Sequence, residues 1–196
     1  MERRSFLKKA GLGAAATATA ASGTAAFAAD GPSVRWRLTS SFPKSLDALW
    51  GAAPQLAKRV SELTGGKFDI RPFAAGEIVP GLQVLDAVQR GTVECGHTAG
   101  YYYVGKDAAF AFEAGLPFGL TARQQNAWLY HGGGLQMTRE FLKDYNIINF
   151  PGGNTGTQMG GWWRKEVKNL NDLKGLKVRI PGFGGKIMAA LGAVPQ

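Results

Sequence analysis

The sequence predicts an α/β fold, with a parallel sheet flanked by helices in a first lobe and the start of a second lobe behind it. Three observations carry this expectation. Along residues 34–99 the apolar pattern alternates between a strand period and a helix period, in the order strand, helix, strand, helix, strand. That order favours parallel pairing through right-handed crossovers. Pro151-Gly152-Gly153 then breaks regular structure and reads as a crossover between domains. The composition is globular: of 196 residues, 45% are apolar and 19% charged, which excludes wholesale disorder.

Residues 1–29 read as an export signal and not as part of the fold. Arg3-Arg4 precedes Ser5-Phe6-Leu7-Lys8, a pattern similar to the twin-arginine consensus. Ala10 to Ala21 is rich in alanine and glycine, too short and too weakly apolar to span a bilayer. Ala26-Phe27-Ala28 supplies a small-x-small cleavage pattern, so cleavage is expected near Ala28/Ala29. The expected route is the twin-arginine export machinery and the expected destination the periplasm.

Lobe 1 is expected over residues 30–152. Val34 to Leu38 alternates apolar and basic residues, the mark of a half-buried strand, and Thr39 to Pro43 reads as a turn. Leu46, Leu49, Trp50, Ala53, Leu56, Val60 and Leu63 recur at three- and four-residue spacing, an amphipathic helix. Pro54 should kink it, and Thr64-Gly65-Gly66 should end it. Phe68 to Phe73 is a second strand; Leu82, Leu85 and Val88 mark a short helix; Val93 to Ala99 is a third strand. Parallel sheets bind ligands beyond the carboxyl ends of their strands. Tyr101, Tyr102 and Tyr103 follow the third strand there, offering ring faces and hydroxyls, with core packing as the competing account.

Thr121 and Gln124 have capping-box spacing and open a helix that runs to Gly132. A further helix covers residues 135–144, and Ile147 to Phe150 reads as a strand. Lobe 2 is expected to begin within residues 153–196. It should hold a strand near Thr157 to Trp163, a helical turn at Asn169 to Lys174, a strand at Lys177 to Ile180 and a helix from about Gly184. So short a second lobe cannot build an independent core, so a fragment of a longer protein is the expectation.

The chain carries a net charge of +9 from 23 basic and 14 acidic residues. Four of the basic residues (Arg3, Arg4, Lys8, Lys9) and one acidic residue (Glu2) lie in the first nine positions, leaving 19 against 13, or +6. The remainder is dispersed, with no basic run or aromatic-basic stripe, which argues against nucleic-acid binding. It suits small anions better. Cys95 is the single cysteine, so no intrachain disulfide exists, and a small buried apolar role is its simplest reading. His97, two residues on, is the only base placed to make a thiol catalyst of it. Gly182-Phe183-Gly184-Gly185-Lys186 lacks the glycine spacing and the hydroxyl residue of a phosphate loop. His97 and His131 are isolated, so zinc-ligand spacing is absent.

Arg179 stands between two β-branched residues on its predicted strand, where a guanidinium needs either water or an anionic partner. The run Asn171-Asp172-Leu173-Lys174-Gly175-Leu176-Lys177-Val178-Arg179 resembles the signature of TRAP-transporter solute-binding proteins of the DctP type. Arg35 to Pro43, Gly76 to Gly81, Gly100 to Tyr103 and Phe150 to Gly156 resemble the branch of that family that binds 2-oxo acids. The resemblance implies a two-lobed, type II-like periplasmic binding fold and no enzymatic activity. Its second lobe would be incomplete here. It implies that Arg179 binds the ligand carboxylate, that Gln158 offers its amide to the ligand and to a bound Na+ or Ca2+, and that Asn154, Tyr101 and Tyr102 line the cleft. The implied ligand is a small monocarboxylate such as pyruvate, and the implied partners are TRAP permease subunits. A homodimer is expected only in a full-length form.

Two other readings stay open at this point. The same fold could hold a 2-hydroxy acid such as lactate through calcium. An exported α/β enzyme acting on a small acid would need Cys95 with His97, or the tyrosines, as its reactive groups.

Overall fold

The computed structural model describes residues 33–196, so the expected export signal lies outside the described residues. Strand β1 (Val34–Ser40) is central. It pairs in parallel with β2 (Phe68–Phe73) on one side and with β3 (Cys95–His97) on the other. The expected parallel β-α-β-α-β unit is therefore present. Register explains the two-sided core. Leu38, opposite Cys95, points to one face, where Ala53 and Ala57 of helix α2 (Ala52–Leu63) and Ile70 of β2 join it in a buried cluster. Thr39, opposite Gly96, points to the other. There Val84 of helix α3 (Val84–Gln89) comes so close that a Cβ on Gly96 would fall 2.6 Å from its side chain. Only a glycine fits under that helix.

The interruption expected at Pro54 falls one turn earlier, at Gly51, between α1 (Asp47–Trp50) and α2. Pro54 has no N–H for the carbonyl of Trp50, four residues upstream, and crowds it, so the first helix ends at Trp50 and the break follows at Gly51. The end of α2 is as expected. Gly65 and Gly66 take positive φ, and the Gly66 N–H closes on the Ser61 carbonyl at 2.8 Å.

Helices α4 (Ala122–His131) and α5 (Gly134–Leu142) form a hairpin. Thr121 and Gln124 make the full capping box, each side chain accepting from the other's backbone N–H. The Trp128 ring lies where a Cβ on Gly134 would be, 2.5 Å from the indole, so the glycine run is what lets the two helices close. A second buried cluster gathers Leu85, Tyr103, Phe110 and Leu142, with Phe141 and Tyr145 edge-on to Phe110.

Four strand expectations change, the arginine strand among them: it ends at Val178, so Arg179 and Ile180 lie just past it. The third strand is confined to Cys95–His97. Residues 147–150 and 157–163 belong to no strand. Ile147 to Phe150 keeps its in-out alternation, but the Asn149 carbonyl accepts from the Arg139 guanidinium in place of a neighbouring strand. Residues 157–163 are almost wholly exposed and cross Gly161 at φ +151°, with no ladder partner among the described residues. In the other direction, β1 runs through Thr39 and Ser40, which the sequence assigns to a turn.

After the crossover, Asn169 and Asp172 cap the 3-10 turn Leu170–Leu173. A separate two-stranded parallel sheet follows, of β4 (Lys177–Val178) and β5 (Val194–Pro195), linked by helix α6 (Gly182–Ala190). The helix starts two residues before the expected Gly184.

Candidate ligand-binding site

The carboxyl ends of β1 and β3 bring a set of hydroxyl groups together. Ser41 Oγ donates to the Gly81 carbonyl at 2.6 Å and bonds Thr98 Oγ1 at 2.6 Å. Thr98 Oγ1 is 2.8 Å from the Tyr103 hydroxyl, which also accepts from the Leu85 N–H at 3.2 Å. Ser40 Oγ lies 3.2 Å from His97 Nδ1 and accepts from the Phe42 N–H at 3.1 Å. The loop beyond β2 is tied to the same end: the Glu77 carboxylate accepts from the Ala74 N–H at 2.7 Å and pairs with Lys44 at 2.6 Å. Sequence reasoning passes over this hydroxyl cluster. Its signal is the run Thr39-Ser40-Ser41 at the end of an alternating strand, which reads as a turn when its burial is unknown.

Aromatic rings continue from this cluster towards β4. His97 stands edge-on to Phe42 at 5.0 Å, Phe42 is 6.4 Å from Tyr102, and Tyr102 is edge-on to Tyr101 at 4.8 Å. The three tyrosines take different roles. Tyr103 is a core residue, 2% exposed, whereas Tyr101 and Tyr102 are half-buried. Tyr101 reaches across to the second sheet. It lies against Gly115 on one side and against Gly182, the first residue of α6, on the other. Burial pushes the Tyr101 phenol up, Tyr102 adds to that, and the positive charge of Arg179 pulls the other way. Arg179 is thus within electrostatic reach of Tyr101.

Arg179 follows β4 immediately, at its carboxyl end, and is exposed. It enters no salt bridge among the described residues. A guanidinium with no carboxylate partner among the described residues, at the end of a parallel strand, is a ready receptor for a planar anion. Gln158 and Asn154 are placed differently. Both are exposed and bonded within their own segment: Gln158 Nε2 donates to Thr155 Oγ1 at 3.1 Å, and Asn154 Oδ1 accepts from the Gly156 N–H at 2.8 Å. Tyr101 and Tyr102 stand edge-on to each other, and Tyr101 rests on Gly182, three residues after Arg179.

For a hard cation, which takes six or more oxygen ligands, Gln158 offers one neutral amide oxygen. No cluster of three or more His, Cys, Asp or Glu side chains occurs among the described residues. These residues alone do not form a cation cage. The Cys95-His97 pair does not form a nucleophile and base either. Cys95 Sγ donates to the Arg37 carbonyl at 3.9 Å, and burial pushes its thiol up to about 11. His97 is bonded to Ser40 instead, and burial lowers its pKa.

A parallel sheet with converging strand ends, and an arginine just past the end of a strand in a second sheet, form a frame suited to a small anion. Residues 39–196 match bacterial extracellular solute-binding protein family 7, DctP, and the chain belongs to that family. It is 57% identical over 199 residues to a monocarboxylate 2-oxoacid-binding periplasmic protein of Nostoc, covering all of this chain and 54% of the relative. A TRAP transporter solute-binding protein from Bordetella bronchiseptica, with co-purified calcium and picolinate in its occupied site, superposes with a TM-score of 0.82 at 56% identity. The match covers 85% of this chain and 49% of that one. A second such protein, from Pseudoalteromonas atlantica with bound sodium and pyruvate, gives 0.78 at 45% identity, over 83% of this chain and 50% of the other. The chain spans about half the length of the relatives it matches, and those structures carry the two-lobed fold of their class.

Proposed function

We propose that this protein captures a 2-oxo monocarboxylate such as pyruvate for uptake by a TRAP permease. The observation that carries the reading is Arg179: exposed, with no carboxylate partner among the described residues, just past the end of β4 and three residues before the glycine on which Tyr101 rests. The fork of its guanidinium matches both oxygens of a carboxylate, which a lysine ammonium cannot do. Tyr101 and Tyr102 would supply a ring wall and phenol donors, and Asn154 and Gln158, bonded here within their own segment, would have to turn towards the ligand. The domain division that goes with this places lobe 1 at 30–152 and lobe 2 from 153.

The relatives' ligands support the same chemistry. Pyruvate carries a keto oxygen, and picolinate a ring nitrogen, next to a carboxylate. Each can close a five-membered chelate on a cation, and Na+ or Ca2+ bridging through Gln158 would extend that to this chain. Capture itself is argued through Arg179 and the tyrosines. Closure of the lobes about the crossover excludes water from the pair and strengthens it. No covalent step is required, and the Cys95 thiol is poorly suited to one. Export through the twin-arginine route, with cleavage near Ala28/Ala29, would deliver the protein to the periplasm, where the permease subunits can meet it.

The test is a thermal-shift titration of the exported protein with pyruvate, longer 2-oxo acids, lactate and a dicarboxylate, each with sodium, calcium or neither. A ligand that binds only the folded state raises the melting temperature by mass action. A rise with 2-oxo acids that disappears in Arg179→Ala is the expected result. A response to lactate and not to pyruvate would move the assignment to 2-hydroxy acids. No response to any of them would end it.

A further inference from the structure

Glu113 lies between the tyrosine turn and the chain segment that enters the crossover, and touches both. Its Oε1 accepts from Asn149 Nδ2 at 3.0 Å. Its other carboxyl oxygen lies over buried Gly100, where a Cβ would come within 2.4 Å of it and 2.8 Å of the Phe110 backbone oxygen, so the glycine lets the turn pack against this segment. Gly100 is the first residue of the tyrosine turn. Two residues after Glu113, Gly115 (φ +87°) lies under the Tyr101 ring, and its Cβ would be 3.0 Å from the ring edge. The far side of the clasp is Asn149, two residues before Pro151. Asn149 also donates to Thr138 Oγ1 at 3.3 Å, and its carbonyl accepts twice from Arg139, whose guanidinium covers Phe150 at 4.9 Å.

The groups around the carboxyl are few. Asn149 donates to it, and helix α4 brings neutral Gln125, which donates to the Glu113 backbone carbonyl at 3.1 Å; Arg139 reaches only the Asn149 backbone carbonyl. Burial raises the Glu113 pKa, opposed by the Asn149 bond. Asn149 Oδ1 is buried and lacks a partner. With the amide turned over, a protonated Glu113 is the neighbour able to donate to it.

We propose that Glu113 is a positioning residue for the ligand site: its carboxyl group fastens the crossover segment to the tyrosine turn, so that Tyr101 is held in place by the same element that carries the hinge. The inference rests on the cleft reading given above and extends it to a residue that does not touch ligand.

The test compares unsubstituted protein, as its gene encodes it, with Glu113→Gln, Glu113→Ala and Asn149→Ala. Two readouts are taken: amide exchange without ligand, and calorimetric titration with pyruvate plus sodium or calcium, between about pH 5 and about pH 8. Loss of a buried hydrogen-bonding partner should speed exchange at Gly100–Tyr103 by about tenfold in Asn149→Ala and Glu113→Ala, and weaken pyruvate binding by a similar factor. Glutamine preserves the shape and the bond but cannot ionise. Glu113→Gln should therefore keep both properties and flatten their pH dependence. Asn149→Ala that speeds exchange only around residues 147–150 would overturn the proposal, as would Glu113→Ala with unchanged exchange in the tyrosine turn. Should Glu113→Ala fail to fold, Glu113→Gln and Asn149→Ala still decide it. If the unsubstituted protein does not bind pyruvate, the ligand reading fails, while exchange at the tyrosine turn still decides the clasp.

Discussion

Tyr101 rests on Gly182: a Cβ on that glycine would lie 3.4 Å from the tyrosine Cβ, and the glycine holds φ at +62°. The contact joins the turn beyond β3 to the start of α6, four residues past β4 and three from Arg179. It is the place where the carboxyl ends of the two sheets meet. Gly182→Ala forces an L-residue into the left-handed region, which costs about 1–2 kcal/mol. We expect that loss in urea unfolding, together with weaker ligand binding. Unchanged unfolding would mean that the backbone at 182 relaxes without cost.

Tyr103 and Tyr102 are neighbours in sequence but should respond very differently to loss of the phenol. Tyr103→Phe leaves the buried Leu85 N–H and the Thr98 hydroxyl without their partner. The expected loss is about 1–3 kcal/mol in the denaturation midpoint. Tyr102→Phe removes a half-buried hydroxyl and should stay within about 0.5 kcal/mol. Equal effects would contradict the division of roles drawn here.

Glu94 and Arg37 give a pH signature. The Arg37 guanidinium and N–H hold the Glu94 carboxyl down to about 2, against an ordinary 4.5. A depressed folded pKa means that the stability gained from Glu94 is complete above about 4.5 and is lost as pH falls towards about 2. Glu94→Gln should therefore flatten the acid limb of the melting curve over that window. Because the pair is exposed, the difference should shrink in high salt. An acid limb identical in both proteins would count against the pair.

Cys95 should be slow to alkylate. Its thiol is pushed up to about 11 by burial and, to a lesser degree, by the Glu94 charge, so the thiolate is scarce near neutral pH. Iodoacetamide labelling at about pH 8 should proceed far more slowly in the folded protein than in denaturant. Rapid labelling of the folded form would reopen the question of a reactive thiol.

Where the signal is local, the residues already show the structure. The strand from Val34, the helix over 52–63, its glycine stop and the Thr121-Gln124 box each depend on contacts within one element, and each is found, although Val34 to Arg37 are all exposed and Leu46, Leu56 and Leu63 stay in solvent. Pro54 acts as expected but one turn upstream, because a proline disturbs the carbonyl four residues before it. The strands expected at 147–150 and 157–163 fail for a different reason. A strand needs a partner, and alternation states only that a segment has two faces.

By itself, then, the sequence determined the order of the elements, the parallel first sheet and the arginine motif that carries the family. These follow from periodicity and from residues adjacent in the chain. Only the tertiary structure decided which tyrosine joins the core and which rests on Gly182, that Ser40, Ser41 and Thr98 converge, and that Glu113 meets Asn149. Those pairs lie tens of residues apart, and their energies depend on burial, which nothing local in the chain records.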